Sequence, residues 1–331
     1  MKKPFLSLKQ SSMGFSVIKA GMQTTIQDLG RFGFQKFGMV VSGAMDALAL
    51  RLGNIILGND EHMAGLECTT IGPTLSFDQA QLIAITGADL SARLDGVLVA
   101  LWKPIFVAAG SVLSFGKPVS GCRAYICFQN GLEIPDIMDS QSTYLKAKIG
   151  GWHGRALQKD DRIAFCSAYN KPVFSFNWRL SSQLYTDLSL TKIRVIKGPQ
   201  FDDFEQESIV QFISESFGIT ALSDRMGYRL NSLPLRLTKP MELLSSAVTF
   251  GTVQVPPQGQ AIVLMADHPT TGGYPVLAQV ARVDLSLLAQ KQVGDQLQFE
   301  LISLTEAHQL LKNQEQQLNQ LKRSIALTYD R

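Results

Sequence analysis

Apolar residues in this chain come in short, strand-length runs that end at Gly, Pro, Asp or Asn, and this restricts the fold more than any other feature. Residues 15–20, 80–86, 91–102, 124–129, 193–197, 248–255 and 261–265 are the clearest examples, each rich in Val, Ile and Phe. The 27 glycines supply the turns that so many short strands require. A turn followed by an alternating strand recurs at 109–115, 159–165 and 293–299, with two apolar residues on one side each time. The pattern predicts a mainly β chain of barrels or sandwiches built by similar rules.

Helices are few. Ser42 is expected to cap a helix over 44–57, with Leu48, Leu52 and Ile55 on one face and Gly58 ending it. A second is expected over 203–217, with an acidic first turn and Gly218 as its stop. In the tail, Ser303-Leu304-Thr305-Glu306 reads as a capping box. After it Leu304, Leu311, Leu318 and Ile325 recur every seven residues, a stripe that packs either on the chain's own body or in a self-associating helix pair. The polar, aperiodic stretch 168–190 is read as the boundary between two β modules.

Composition removes several functions. A net charge of +3 without any long Lys/Arg run argues against a nucleic-acid partner. The longest apolar runs, 97–102 and 261–266, are far short of the roughly 20 residues of a spanning helix, so no membrane partner is expected. Lys2 and Lys3 are not followed by the apolar stretch of a signal peptide. Cys68, Cys122, Cys127 and Cys166 show no C-x-x-C spacing and read as reduced thiols in a cytoplasmic protein. His62, His153, His268 and His308 are scattered, so no metal site is expected. The chain also lacks a G-x-x-x-x-G-K-[ST] phosphate loop, G-x-S-x-G and H-E-x-x-H.

Three segments have the residue types of a site. The first, Ala266-Asp267-His268-Pro269-Thr270-Thr271-Gly272-Gly273-Tyr274-Pro275, leaves an apolar strand, as functional loops often do. Asp267 beside His268 offers a base or proton shuttle, Thr270 and Thr271 offer hydroxyls, and Gly272-Gly273 lets backbone N–H groups approach an anion. A Gly-rich turn with an exposed histidine is the plain alternative. The second, residues 24–31 leading to 42–46, carries Arg31, which either grips a carboxylate or phosphate or pairs with Asp28 or Asp46. The third, 223–230, carries Arg225 and Arg229, which read alone as solvated surface charge.

Together these segments resemble the carboxyltransferase-domain family (subdomains A and B), whose members are also called allophanate hydrolase subunit 2, KipA or a 5-oxoprolinase subunit. The pieces run in order: Thr25 to Arg31, Ser42 to Asp46, Gly58-Asn59, Leu66-Glu67 with Gly72-Pro73, and Ile85 to Ala88. After them come Gly150-Gly151 with Gly154-Arg155, Gly198 to Gln200, Ser223 to Leu230, Val253 to Pro256 and Thr270 to Pro275. The resemblance implies two linked cyclophilin-like β-barrel modules, over 14–188 and 189–302, with a helical tail over 303–331. It implies ATP with Mg2+, at this chain or at an interface between subunits, and no bound biotin. It also implies a smaller partner subunit of the allophanate hydrolase subunit 1 or KipI kind and a third protein like LamB/YcsF. The implied activity is ATP-dependent opening of 5-oxoproline to glutamate. On that picture Asp267 or His268 transfers the proton. Arg31 and Arg225 hold phosphate or carboxylate, Gly272 and Gly273 donate from the backbone, and Thr270, Thr271 and Tyr274 line the same loop. The alternatives are a carboxyltransferase component of a biotin-dependent urea-degrading system and a regulatory protein that sequesters a kinase-inhibitor partner.

Three departures stand out. Pro269 replaces the family's Gln, Asn130-Gly131 replaces Gly-Gly, and Asp139-Ser140-Gln141-Ser142-Thr143 has Gln where the family pattern has Arg.

Overall fold

Strand after short strand pairs antiparallel in the computed structural model, which describes residues 13–169 and 176–329. The signal-peptide reading at Lys2 and Lys3, and residues 170–175 of the polar connecting stretch, lie outside the described residues.

The N-terminal half is built from two sheets. One runs in the order Arg162–Ala164, Gly14–Lys19, Thr74–Phe77, Val112–Ser114, Arg93–Leu94, Val97–Leu98. The other runs Gln23–Gln27, Gly65–Thr69, Ser120–Phe128, Gln81–Asp89, Pro104–Val107. Alternation decides what each face buries. In Gly65–Thr69, Leu66 and Cys68 enter the core between the sheets, where Phe15 stacks on Phe128 with ring centroids 5.3 Å apart. Glu67, between them, faces the other way.

The C-terminal half is a closed seven-stranded barrel, in the order Lys192–Lys197, Val276–Val280, Thr252–Gln254, Ile262–Leu264, Gly227–Asn231, Ser216–Ile219, Gln296–Leu301. Parallel pairing of the last strand with the first, Ile193 opposite Phe299, closes it and leaves no open edge. Phe212 stacks on Phe299 inside, centroids 4.6 Å apart. The barrel expectation is met by hydrogen-bonded closure here, whereas the N-terminal half wraps two sheets around one core. The strand expected over 91–102 is broken into two shorter pieces, and that over 248–255 shortens to Thr252–Gln254.

Four α-helices lie among the described residues: α1 (Ala47–Ile56), α2 (Gln206–Ser214), α3 (Leu285–Ala289) and α4 (Leu304–Tyr329). The cap of α1 is Asp46, which accepts from Ala49 N at 3.0 Å, and not Ser42, whose backbone sits at φ 57° outside the helix. The second helix ends at Ser214, because Ser216–Ile219 is a barrel strand whose pairing claims Gly218. The capping box forms as expected, with Glu306 N donating to Ser303 Oγ at 3.2 Å. The α4 stripe packs on the chain's own body: Leu318 and Ile325 are buried in the cluster around α1, and Arg51 of α1 holds Glu315 at 2.6 and 2.7 Å. No helix among the described residues is long and apolar enough to cross a membrane.

Candidate active-site cleft between the two halves

The loop 28–31 lies against the loop 41–44 because both Gly30 and Gly43 have left-handed backbones, φ 105° and 95°. A Cβ on Gly43 would meet Gly30 N at 2.9 Å, and one on Gly30 would meet Ser42 O at 2.9 Å. Arg31 N donates to Val41 O at 2.7 Å and Ala44 N to Asp28 O at 2.8 Å, fixing the pair of loops. Asp28 then gathers a third segment: Ser140 Oγ donates to it at 2.9 Å and Gln141 N at 2.6 Å.

Arg31 is fully buried, and neither pairing expected of it forms. Its Nε donates to Ile137 O at 3.0 Å and its Nη2 to Ser142 O at 2.7 Å. Asp46 instead accepts from Tyr185 Oη and, at 2.7 Å, from Gln290 Nε2. Burial lowers the Arg31 pKa, against the opposing fields of Asp28 and Asp267. The sequence offered either a ligand grip or a carboxylate pair here; the geometry puts its Nε and Nη2 on backbone carbonyls of the 137–142 loop and leaves the buried Nη1 without a hydrogen bond among the described residues.

Arg225 is the centre of the site. Read alone it is surface charge, yet only 7% of it is exposed, while Arg229 next along the strand is exposed. Its Nε donates to Asp267 Oδ2 at 2.9 Å, its Nη2 to Gly43 O at 2.6 Å and to Asp267 Oδ1 at 3.1 Å, and its Nη1 to Glu67. Glu67 also accepts from Met45 N at 2.8 Å and Tyr125 Oη at 2.7 Å. Asp267 Oδ1 takes a further bond from Ser42 Oγ at 2.6 Å. A barrel arginine is thus held by a barrel carboxylate and by a carboxylate of the N-terminal half. Such charge-assisted bonds are the strong ones.

The rest of the 266–275 loop runs elsewhere. His268 is buried, and its Nδ1 donates to Pro269 O at 2.6 Å, leaving Nε2 as the proton-accepting atom. Burial lowers its pKa, so the imidazole is neutral at pH 7. The exposed-histidine reading is therefore replaced by a buried one. Thr271–Gly272 pairs with Ser246–Ala247 in a small two-stranded ribbon outside the barrel, with Thr270 at its base and Gly273 and Tyr274 exposed beyond it. The backbone of Gly272 and Gly273 keeps negative φ, so neither glycine is used for a left-handed turn.

A cleft of about 630 Å³ opens between the two halves over the Arg225–Asp267 pair. Arg123, Tyr144, Lys146, Tyr228 and Lys291 line it as well. His268, Arg31 and the 270–274 ribbon are outside its lining. Ligand sites favour such junctions. Tyr228 Oη donates to Lys291 O at 3.1 Å and accepts from Arg123 Nη1 at 2.8 Å, and burial pushes its phenol pKa up to about 12. Sequence reasoning missed Arg123, Tyr144, Lys146, Tyr228 and Glu67. Glu67 alone carried a signal, being a charged residue between Leu66 and Cys68 in a strand that otherwise reads as buried.

The departures fit locally. Asn130 takes the glycine-like φ of 61°, as Asn tolerates, and its side chain donates to Ser167 Oγ at 2.8 Å. Gln141 donates to Ile134 O at 2.9 Å.

Residues 37–301 match the family model for the carboxyltransferase domain, subdomains A and B. The chain belongs to this carboxyltransferase-domain family. Among relatives of this carboxyltransferase-domain protein, a 5-oxoprolinase subunit of Haemophilus influenzae is 39% identical over 93% of this chain and 98% of its own length. The protein of the same name from Escherichia coli is 38% identical over 92% and 96%. Urea amidolyase of Saccharomyces cerevisiae is 33% identical over 89% of this chain, which spans 17% of that enzyme. The K. lactis urea amidolyase structure superposes with a TM-score of 0.88 at 30% identity, over 95% of this chain and 20% of that one. The carboxyltransferase-domain fold read from the sequence is therefore the fold observed.

Proposed function

We propose that this chain is one subunit of a heteromeric, ATP-dependent amidohydrolase that opens 5-oxoproline to glutamate, working with the smaller subunit of its family. The observation that carries this is the 39% identity to the Haemophilus influenzae 5-oxoprolinase subunit over nearly the whole of both chains. A five-membered lactam is a poor electrophile; transfer of the terminal phosphoryl group of ATP to its oxygen activates the carbon, water adds there, the C–N bond breaks as the nitrogen takes a proton, and the acyl phosphate left behind is hydrolysed to glutamate and phosphate. The task left to the protein is positioning and charge stabilisation.

The cleft suits that task. Its cationic lining fits a phosphate-bearing co-substrate, and Arg225, whose charge Asp267 and Glu67 offset, fixes the position of Asp267 at the floor. An activated amide needs only a modest base. Asp267, which lines the cleft, takes that role, and its orientation is set by Ser42 and Arg225. His268, outside the lining, supports the loop from behind.

The test is ATP turnover by the chain co-purified with its smaller subunit, with and without 5-oxoproline, in wild type, Asp267→Asn and His268→Ala. Stimulation by 5-oxoproline that is lost in Asp267→Asn and kept in His268→Ala, with all three proteins folded by circular dichroism, supports the reading. A stable complex with no stimulation sinks 5-oxoproline as substrate.

One observation favours a second reading, carboxyl transfer in a urea-degrading system. The superposition on the K. lactis urea carboxylase has a TM-score of 0.88 over 95% of this chain. Biotin would then arrive on another protein. Replacing 5-oxoproline by urea, bicarbonate and a biotinylated carrier in the same assay separates the two.

A further inference from the structure

The cleft lining is unbalanced in charge. Four cationic residues, Arg123, Lys146, Arg225 and Lys291, line it with two acidic ones, Asp224 and Asp267. Arg225 and Asp267 satisfy each other. Asp224, exposed at the mouth, keeps its charge while its Oδ1 accepts the N–H groups of Met226 and Gly227, at 2.8 and 3.2 Å, so cations still outnumber carboxylates in the lining. That leaves Arg123, Lys146 and Lys291, none of which forms an ion pair among the described residues.

Their environments make this costly. Arg123 is 7% exposed, and its Nη1 reaches only neutral groups: Tyr228 Oη at 2.8 Å, Cys122 Sγ at 3.1 Å and Ala289 O. Its Nε is buried with no acceptor. Lys291 is equally buried and rests on the carbonyls of Leu188 and Leu190, at 3.0 and 2.5 Å, which leaves one of its three N–H groups free. Burial lowers its pKa, against the opposing fields of Asp295 and Asp187. Lys146 stands exposed at the mouth with a thioether, Met226 Sδ at 3.5 Å, as its contact. Buried charges are normally paired, and a buried donor without an acceptor is rare.

We propose that Arg123, Lys146 and Lys291 form an oxyanion-binding wall in this cleft that takes the polyphosphate of a nucleotide. The choice of polyphosphate follows from charge: one carboxylate would leave cations on this wall uncompensated, and a chain of phosphates would not. Lys146 meets the ligand at the mouth, Lys291 offers its remaining N–H, and the buried Arg123 adds positive charge from behind the wall. This assignment rests on the ATP-dependent reading above and places the phosphates apart from Arg31 and the 270–274 ribbon.

The test is calorimetric titration of the 331-residue chain with inorganic tripolyphosphate and separately with 5-oxoproline, in wild type, Lys146→Met and Lys291→Gln, with Lys312→Met on the exposed face of α4 as control. Tripolyphosphate is expected to bind wild type and the control alike, to bind Lys146→Met roughly tenfold more weakly, and to lose affinity with added salt. Lys146 is exposed, so its variant keeps the fold even if Lys291→Gln does not. Absence of tripolyphosphate binding, or binding that is unchanged in Lys146→Met and Lys291→Gln, overturns the proposal. Binding of 5-oxoproline alone, weakened in Lys146→Met, overturns it in favour of a carboxylate site. If tripolyphosphate does not bind but the complex still shows 5-oxoproline-stimulated turnover, the wall is wrong and the activity stands. If it binds as stated and no stimulation is seen, the reverse holds.

Discussion

Arg225 and Glu67 lie 158 positions apart in the chain, and a hydrogen-bonded ion pair joins them across the junction of the two halves. Glu67 is 1% exposed, and its other oxygen is taken by Met45 N and Tyr125 Oη. Glu67→Ala leaves Asp267 as the counter-charge of Arg225 but takes the acceptor from the buried Met45 N and Tyr125 Oη. It is therefore expected to cost about 2–3 kcal/mol of unfolding free energy in urea titration. A loss below about 1 kcal/mol would show that the junction does not depend on this pair.

Ser42 joins the same cluster from a left-handed backbone, φ 57°, with Oγ 2.6 Å from Asp267 Oδ1. Ser42→Ala loses a hydrogen bond to a carboxylate, about 1.5–3 kcal/mol. Ser42→Gly loses the same bond but relieves the backbone, so it should be more stable than the Ala variant by about 1 kcal/mol. Chemical denaturation of both variants checks the order; an Ala variant at least as stable as the Gly variant contradicts it.

His268 has a lowered pKa in the folded protein because burial disfavours its charged form. Its stabilising contribution is then complete above the unfolded value of about 6.5 and is lost as pH falls through the lower folded value. Wild type should lose stability between pH 7.5 and 5.5, and His268→Asn, which keeps a donor for Pro269 O, should lose less. Urea midpoints at the two pH values measure this, and equal losses would rule it out.

Leu318 is 1% exposed beneath α4, against the cluster around α1. Leu318→Ala is expected to cost about 2–5 kcal/mol and to leave the sedimentation coefficient unchanged. A shift in oligomeric state instead would mean that the heptad stripe also serves self-association.

Much of the β architecture was legible along the chain because a strand's signal is local. Alternation and turn residues mark Gly14–Lys19, Gln81–Asp89 and Lys192–Lys197 without knowledge of their partners. The capping box at Ser303 was legible for the same reason, since donor and acceptor lie three residues apart. Helix limits were read less well where two local signals competed. Ser42 was read as the cap, a place that Asp46 takes, and only the Asp267 contact shows that the Ser42 hydroxyl is engaged elsewhere.

The site was only partly legible. Asp267 was named from residue type and Arg225 through the family resemblance, but their roles depend on Glu67, Ser42 and Gly43, which long loops bring to them. Thr270 to Tyr274 shared a motif with Asp267 and still diverge from it, because a two-residue pairing with Ser246–Ala247 draws that stretch outside the barrel. Arg123, Lys146 and Lys291 carried no sequence signal, being single cations far apart in the chain. The sequence by itself determined the strands, their turns, the capped tail helix and the family. The tertiary structure alone decided which charges are buried, which are paired and which face a common cleft, because burial and pairing are properties of segments brought together and not of any one segment.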